Sequence, residues 1–117
     1  MVKLSNQEEE AMKIVWQIGE ANAKAFLDGM PEPKPPYTTL ASTLKNLEKK
    51  GYLKAKLIGN TYLYSPLVSE DQYKKQFVGS LVKEYFDNSY KDLVTFFAKQ
   101  KKISQSELKE ILKLIDK

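Results

Sequence analysis

Residues 37–66 read YTTLASTLKNLEKKGYLKAKLIGNTYLYSP, and the fold turns on how that stretch divides. Leu40, Leu44 and Leu47 recur at spacings of four and three, which makes one apolar stripe on a helix predicted from Thr38 to about Lys50. Thr38 can cap that helix by accepting from a free amide one turn on, and Pro35-Pro36 holds the entering chain extended. Gly51 supplies a left-handed stop. The apolar period then falls to nearly two through Leu53, Ala55 and Leu57, and Gly59-Asn60 fits a two-residue hairpin turn of the II′ kind. With that turn, Leu57 faces Tyr62 and Ala55 faces Tyr64 on one side, while Lys54 and Lys56 line the other.

Opposite the leucines the same helix carries Thr39, Ser42, Thr43 and Asn46, with Lys45, Lys49 and Lys50 along its flank. Short donors and acceptors suit base edges, and ammonium groups suit phosphates. Between Thr38 and Ser65 five lysines stand against one acid, Glu48, a local net charge of +4. A polar-faced helix, a glycine stop and a basic hairpin together form a winged helix-turn-helix pattern. The residues expected at double-stranded DNA are therefore Thr38, Thr39, Ser42, Thr43, Lys45, Asn46, Lys49, Lys50, Lys54, Lys56 and Asn60. A Ser/Thr-rich face is also what a merely solvated helix shows, so a winged-helix protein-interaction module stands as the rival reading.

Upstream, Ser5-Asn6-Gln7-Glu8 is a capping box, and the helix it opens sets Ala11, Met12, Val15, Trp16 and Ile18 on one side, with Trp16 expected in the core. A short helix from about Asn22 to Met30 offers Ala23, Phe26, Leu27 and Met30 for packing. Four prolines between Pro31 and Pro36 then force an extended spacer. Downstream, the 3.6 period returns at the capping box Ser69–Gln72 and continues in helices opened by Ser89 and by Ser104. Tyr73, Phe77, Leu81 and Tyr85 recur every four residues, and Leu108, Ile111, Leu112 and Ile115 give a second stripe. The expected architecture is mostly α with a small β-hairpin wing: a winged-helix DNA-binding domain over 1–68 and a C-terminal helical dimerisation segment over 69–117. The alternative is a monomer that folds these helices back on the wing domain.

The chain has 117 residues and contains neither cysteine nor histidine. Disulfides, cysteine zinc sites, thiol nucleophiles and the usual general base are thereby removed, no cofactor is expected, and hydrolytic triads are excluded. An enzyme built on carboxylates alone would need paired acids in an apolar setting, and the fifteen acids are mostly interleaved with lysines at helical spacing. All nineteen cations are lysine. Without arginine, the usual bidentate reader of guanine, phosphate contacts fall to lysine and base contacts to Thr, Ser and Asn. No run of 18 apolar residues and no signal-peptide pattern occurs, so a soluble, cytoplasmic protein without membrane insertion is expected.

Four stretches carry a resemblance over nearly the whole chain: Glu8 to Trp16, Tyr37 to Leu53, Tyr62 to Val68, and Leu93 to Ala98. With them the sequence resembles the penicillinase-repressor (BlaI/MecI) family of bacterial transcriptional regulators, which also includes the copper-responsive CopY branch. The resemblance implies a dimeric winged-helix repressor, held together by its C-terminal helices, on a two-fold symmetric operator. For antibiotic-responsive members it further implies a membrane sensor-peptidase that triggers cleavage, and by position the bond is Phe96-Phe97. The cysteine motif of the copper branch is absent.

Overall fold

The computed structural model describes residues 3–115. Ser5 opens the first helix, α1 (Asn6–Ile18): its hydroxyl accepts from the Glu8 N–H, and the Glu8 carboxylate accepts from the Ser5 N–H. Asn22 caps α2 (Ala23–Gly29) in the same manner, accepting from Ala25 N–H. α3 runs from Tyr37 to Lys49, one residue earlier at each end than the sequence suggested. Thr38 is not its cap. Pro36 is the N-cap, with φ −60° and no side-chain cap hydrogen bond, because a proline ring fixes the entry angle and leaves Thr38 inside the first turn.

Two backbone bonds close α3, from Tyr52 N–H to the Leu47 carbonyl and from Gly51 N–H to the Glu48 carbonyl, with Gly51 at φ +85°. This is the Schellman arrangement, and it needs the left-handed conformation that glycine adopts without a Cβ penalty. The chain leaves it directly into an antiparallel pair, β1 (Leu53–Ile58) and β2 (Thr61–Pro66), in register from Leu53 opposite Pro66 to Ile58 opposite Thr61. Gly59 has φ +61° at the turn, and Leu57–Tyr62 and Ala55–Tyr64 are paired as the two-residue loop requires. Ala21 and Tyr64 exchange two backbone hydrogen bonds, so β2 is also tied to the approach of α2.

Met12, Val15, Phe26, Leu40, Leu44, Leu47, Tyr52 and Leu53 are buried where these elements converge. On α1 it is Ile14 that is buried, while Ile18 is exposed. Three helices and a hairpin over one core make a winged helix.

The chain divides into two compact units, Met1–Tyr73 and Lys74–Lys117. The first therefore extends five residues past the boundary expected at Val68. Tyr73, expected on the dimer seam, belongs to the first unit: its ring packs on Trp16 and Tyr52, and its hydroxyl donates to Glu9. Burial, then the Glu9 carboxylate, pushes that phenol far above its ordinary range. Trp16 Nε1–H donates to the Val68 carbonyl at 2.8 Å. The reason is geometric, since the first turn of α4 (Glu70–Tyr85) lies within reach of the aromatic side of α1.

The second unit holds the rest of α4, α5 (Tyr90–Lys99, capped by Ser89) and α6 (Gln105–Ile115, with Ser104 and Glu107 reciprocally bonded). Val82 and Val94 are its buried residues, and Leu81 and Leu108 are half-buried among the described residues. The side chains of Ile111, Leu112 and Ile115 lie outside the described ones. Among the described residues no helix is long and apolar enough to cross a membrane.

An ion pair joins the start of α1 to the end of α3. Lys50 Nζ donates to Glu8 at 2.7 Å, between side chains that are mostly buried. Burial alone would raise the Glu8 pKa, but the Lys50 hydrogen bond and the two bonds from Ser5 outweigh it and hold the carboxyl below its ordinary value. A carboxyl depressed in the folded state contributes stability above its unfolded pKa and loses it as pH falls through the folded value. Glu8→Gln is therefore expected to cost about 1–3 kcal/mol in urea unfolding at pH 7, with the gap to wild type narrowing toward pH 3. A gap of equal size at both pH values would rule out the ion pair as its source.

Candidate nucleic-acid interface

At about 100° per residue, burying Leu40, Leu44 and Leu47 leaves Thr38, Ser42, Lys45, Asn46 and Lys49 on the open side of α3, and all five are exposed. Thr39 is half-buried at the edge. Two expected members of the face are elsewhere. Thr43 is only 7% exposed, and its hydroxyl donates to the Thr39 carbonyl at 2.9 Å. It stands three residues after Leu40 and four before Leu47, spacings that put it on the buried stripe. Lys50, expected at phosphate, is held by Glu8.

The wing supplies the second element. Lys54 and Lys56 are exposed on β1, on the face away from Leu53 and Ala55, and Asn60 is exposed at the tip. Pleating explains the alternation. The inner face changes character along the hairpin: Leu53 and Tyr64 are buried at its base, whereas Leu57 and Tyr62 are exposed near its tip. The hairpin outreaches the core that covers its base.

Between α3 and the wing lies an open cleft of about 420 Å³. Tyr37, Ala41 and Lys45, four residues apart on α3, line it from one side and Asn60, Thr61, Tyr62 and Tyr64 from the wing, and Asn22, Ala23 and Lys24 line it from the start of α2. Burial, followed by repulsion from the Glu48 carboxylate, pushes the Tyr64 phenol above its ordinary value. Sequence reasoning did not single out Lys24, Tyr37 or Tyr62. The i, i+4, i+8 spacing of Tyr37, Ala41 and Lys45 was the available signal for one wall, but nothing local in the sequence brings Lys24 to the same cleft as the wing.

The sequence profile described as penicillinase repressor matches residues 4–117. The chain is 24% identical over 116 residues to the methicillin resistance regulatory protein MecI of Staphylococcus aureus strain N315, covering 98% of this chain and 94% of that one. It is 23% identical over 119 residues to the penicillinase repressor of Bacillus licheniformis, covering 97% and 90%. The penicillinase repressor of Staphylococcus aureus is 24% identical over 116 residues, with 98% and 92% covered.

Proposed function

The chain belongs to the penicillinase repressor family, a family of DNA-binding transcriptional repressors and not of enzymes, and on that premise we propose that it acts as a cytoplasmic homodimer on a two-fold symmetric operator. Each copy would lay α3 in a major groove, with Thr38, Thr39, Ser42 and Asn46 at base edges and Lys45 and Lys49 at phosphates. Lys54, Lys56 and Asn60 would hold the wing against the backbone. The observation that carries this reading is the open polar face of α3, flanked by cations and set beside a basic hairpin.

Dimerisation falls to residues 74–117, and Phe77, Leu81, Tyr85, Leu108, Ile111, Leu112 and Ile115 are its proposed seam. Relief of repression by a membrane sensor-peptidase would act at Phe96-Phe97. That bond lies inside α5, so a peptidase that takes extended substrate requires α5 to unwind first.

Changing Lys54 and Lys56 together to Gln tests the wing. The variant is expected to bind all duplexes more weakly, with the slope of log affinity against log salt reduced by about two units, one per phosphate no longer neutralised. Unchanged general affinity with lost operator preference would contradict the assignment. A protein with little affinity for any duplex would instead be the protein-interaction module.

A further inference from the structure

We propose that the cleft between α3 and the wing is a seat for the sugar-phosphate strand of duplex DNA, with Lys24, Lys45, Tyr37 and Tyr62 as the groups that hold it. The proposal rests on the DNA-binding reading above and extends it to residues outside the reading face. Four observations carry it. Two lysines line the cleft and, among the described residues, no carboxylate does, in a chain where acids are nearly as numerous as lysines. Neither Lys24 nor Lys45 has an ion pair or hydrogen bond among the described residues, unlike Lys50, so both ammonium groups are free to meet an anion. Tyr37 and Tyr62 line the cleft from α3 and from the wing and are 53% and 49% exposed, so two neutral hydroxyl-bearing side chains stand open to solvent there. Lys45 also borders Ser42 and Asn46 on the open side of α3, so the cleft runs on into the reading face.

The occupant follows from charge and shape. An open trough with a cation on α2 and another on α3, edged by neutral hydroxyl donors, matches a strand that carries one charge per phosphate and accepts hydrogen bonds along its length. Such contacts carry no sequence information. They fix the depth and angle at which α3 enters the groove, which decides whether Ser42 and Asn46 reach base edges at all. In a chain without arginine, tyrosine hydroxyls beside lysines supply the directional part of phosphate recognition that a guanidinium fork would otherwise give.

Binding of a random-sequence 30-base-pair duplex between 50 and 200 mM salt tests this with three variants of the full chain, each checked for folding by circular dichroism. Lys24→Gln is expected to lower the salt slope by about one and so to shrink the affinity loss across that range by about threefold. Tyr62→Phe, which removes only a hydroxyl, is expected to weaken binding several-fold with the slope unchanged. Lys13→Gln, on the exposed side of α1 and away from the cleft, should change neither. Wild-type affinity and slope in both Lys24→Gln and Tyr62→Phe, with duplex binding intact, would overturn the seat and leave the DNA-binding reading standing. Absence of duplex binding by the wild type would overturn both.

Discussion

Replacing Phe77 and Tyr85 together with aspartate is expected to yield a monomer in sedimentation and to lower affinity for a two-half-site duplex at least about tenfold. Five aromatic side chains in the second unit, Phe77, Tyr85, Tyr90, Phe96 and Phe97, are between 38% and 72% exposed. Scattered exposed apolar residues are ordinary, but so many on one 44-residue unit form a surface that water solvates poorly and a second copy can cover. Tyr85 at 72% and Phe77 at 56% are open enough that aspartate there should leave the fold of each chain intact while placing charge in the proposed seam. One winged helix offers a single α3 and few lysines. Two copies held together make the second half-site contact effectively intramolecular, and a monomer forgoes that gain. A chain ending at Phe96 is expected to behave alike. If the double variant still sediments as a dimer, or binds a two-half-site duplex as tightly as the wild type, residues 74–117 are not the dimerisation unit.

The elements that were legible in the sequence are those with a local chemical cause. Ser5, Ser69, Ser89 and Ser104 each open a helix whose third residue is Glu, Gln or Asp, and in each case the serine hydroxyl accepts from that residue's N–H. Gly51 and Gly59 fix the end of α3 and the hairpin register because both positions take positive φ. What escaped the sequence was set by tertiary neighbours. Thr43 is the exception, since its spacing from Leu40 and Leu47 already marks the buried stripe and its hydroxyl bonds the Thr39 carbonyl one turn back. Tyr73 has the spacing of a seam residue, and only the nearness of Trp16, Tyr52 and Glu9 commits it to the winged helix. Glu8 was legible as a capping residue but not as the partner of Lys50, 42 positions away, which removes a lysine from the expected interface. The cleft is of the same kind, since α2, α3 and β2 meet only in the folded chain.

The central claim is that the open face of α3 reads base edges, and the double variant Ser42→Ala/Asn46→Ala tests it most directly. Both residues are exposed, lie on the side opposite Leu40, Leu44 and Leu47, and can be truncated without touching the core. A duplex selected by the wild type from a randomised library provides the specific site, and a scrambled duplex of the same length provides the reference. The measurement is the ratio of the two affinities at fixed salt. The account predicts that the ratio falls by about 1–3 kcal/mol for each base edge that is no longer read, while affinity for the scrambled duplex and the salt slope stay at wild-type values. A double variant that keeps the full wild-type ratio would contradict it, because the face would then be solvated surface and not a reader.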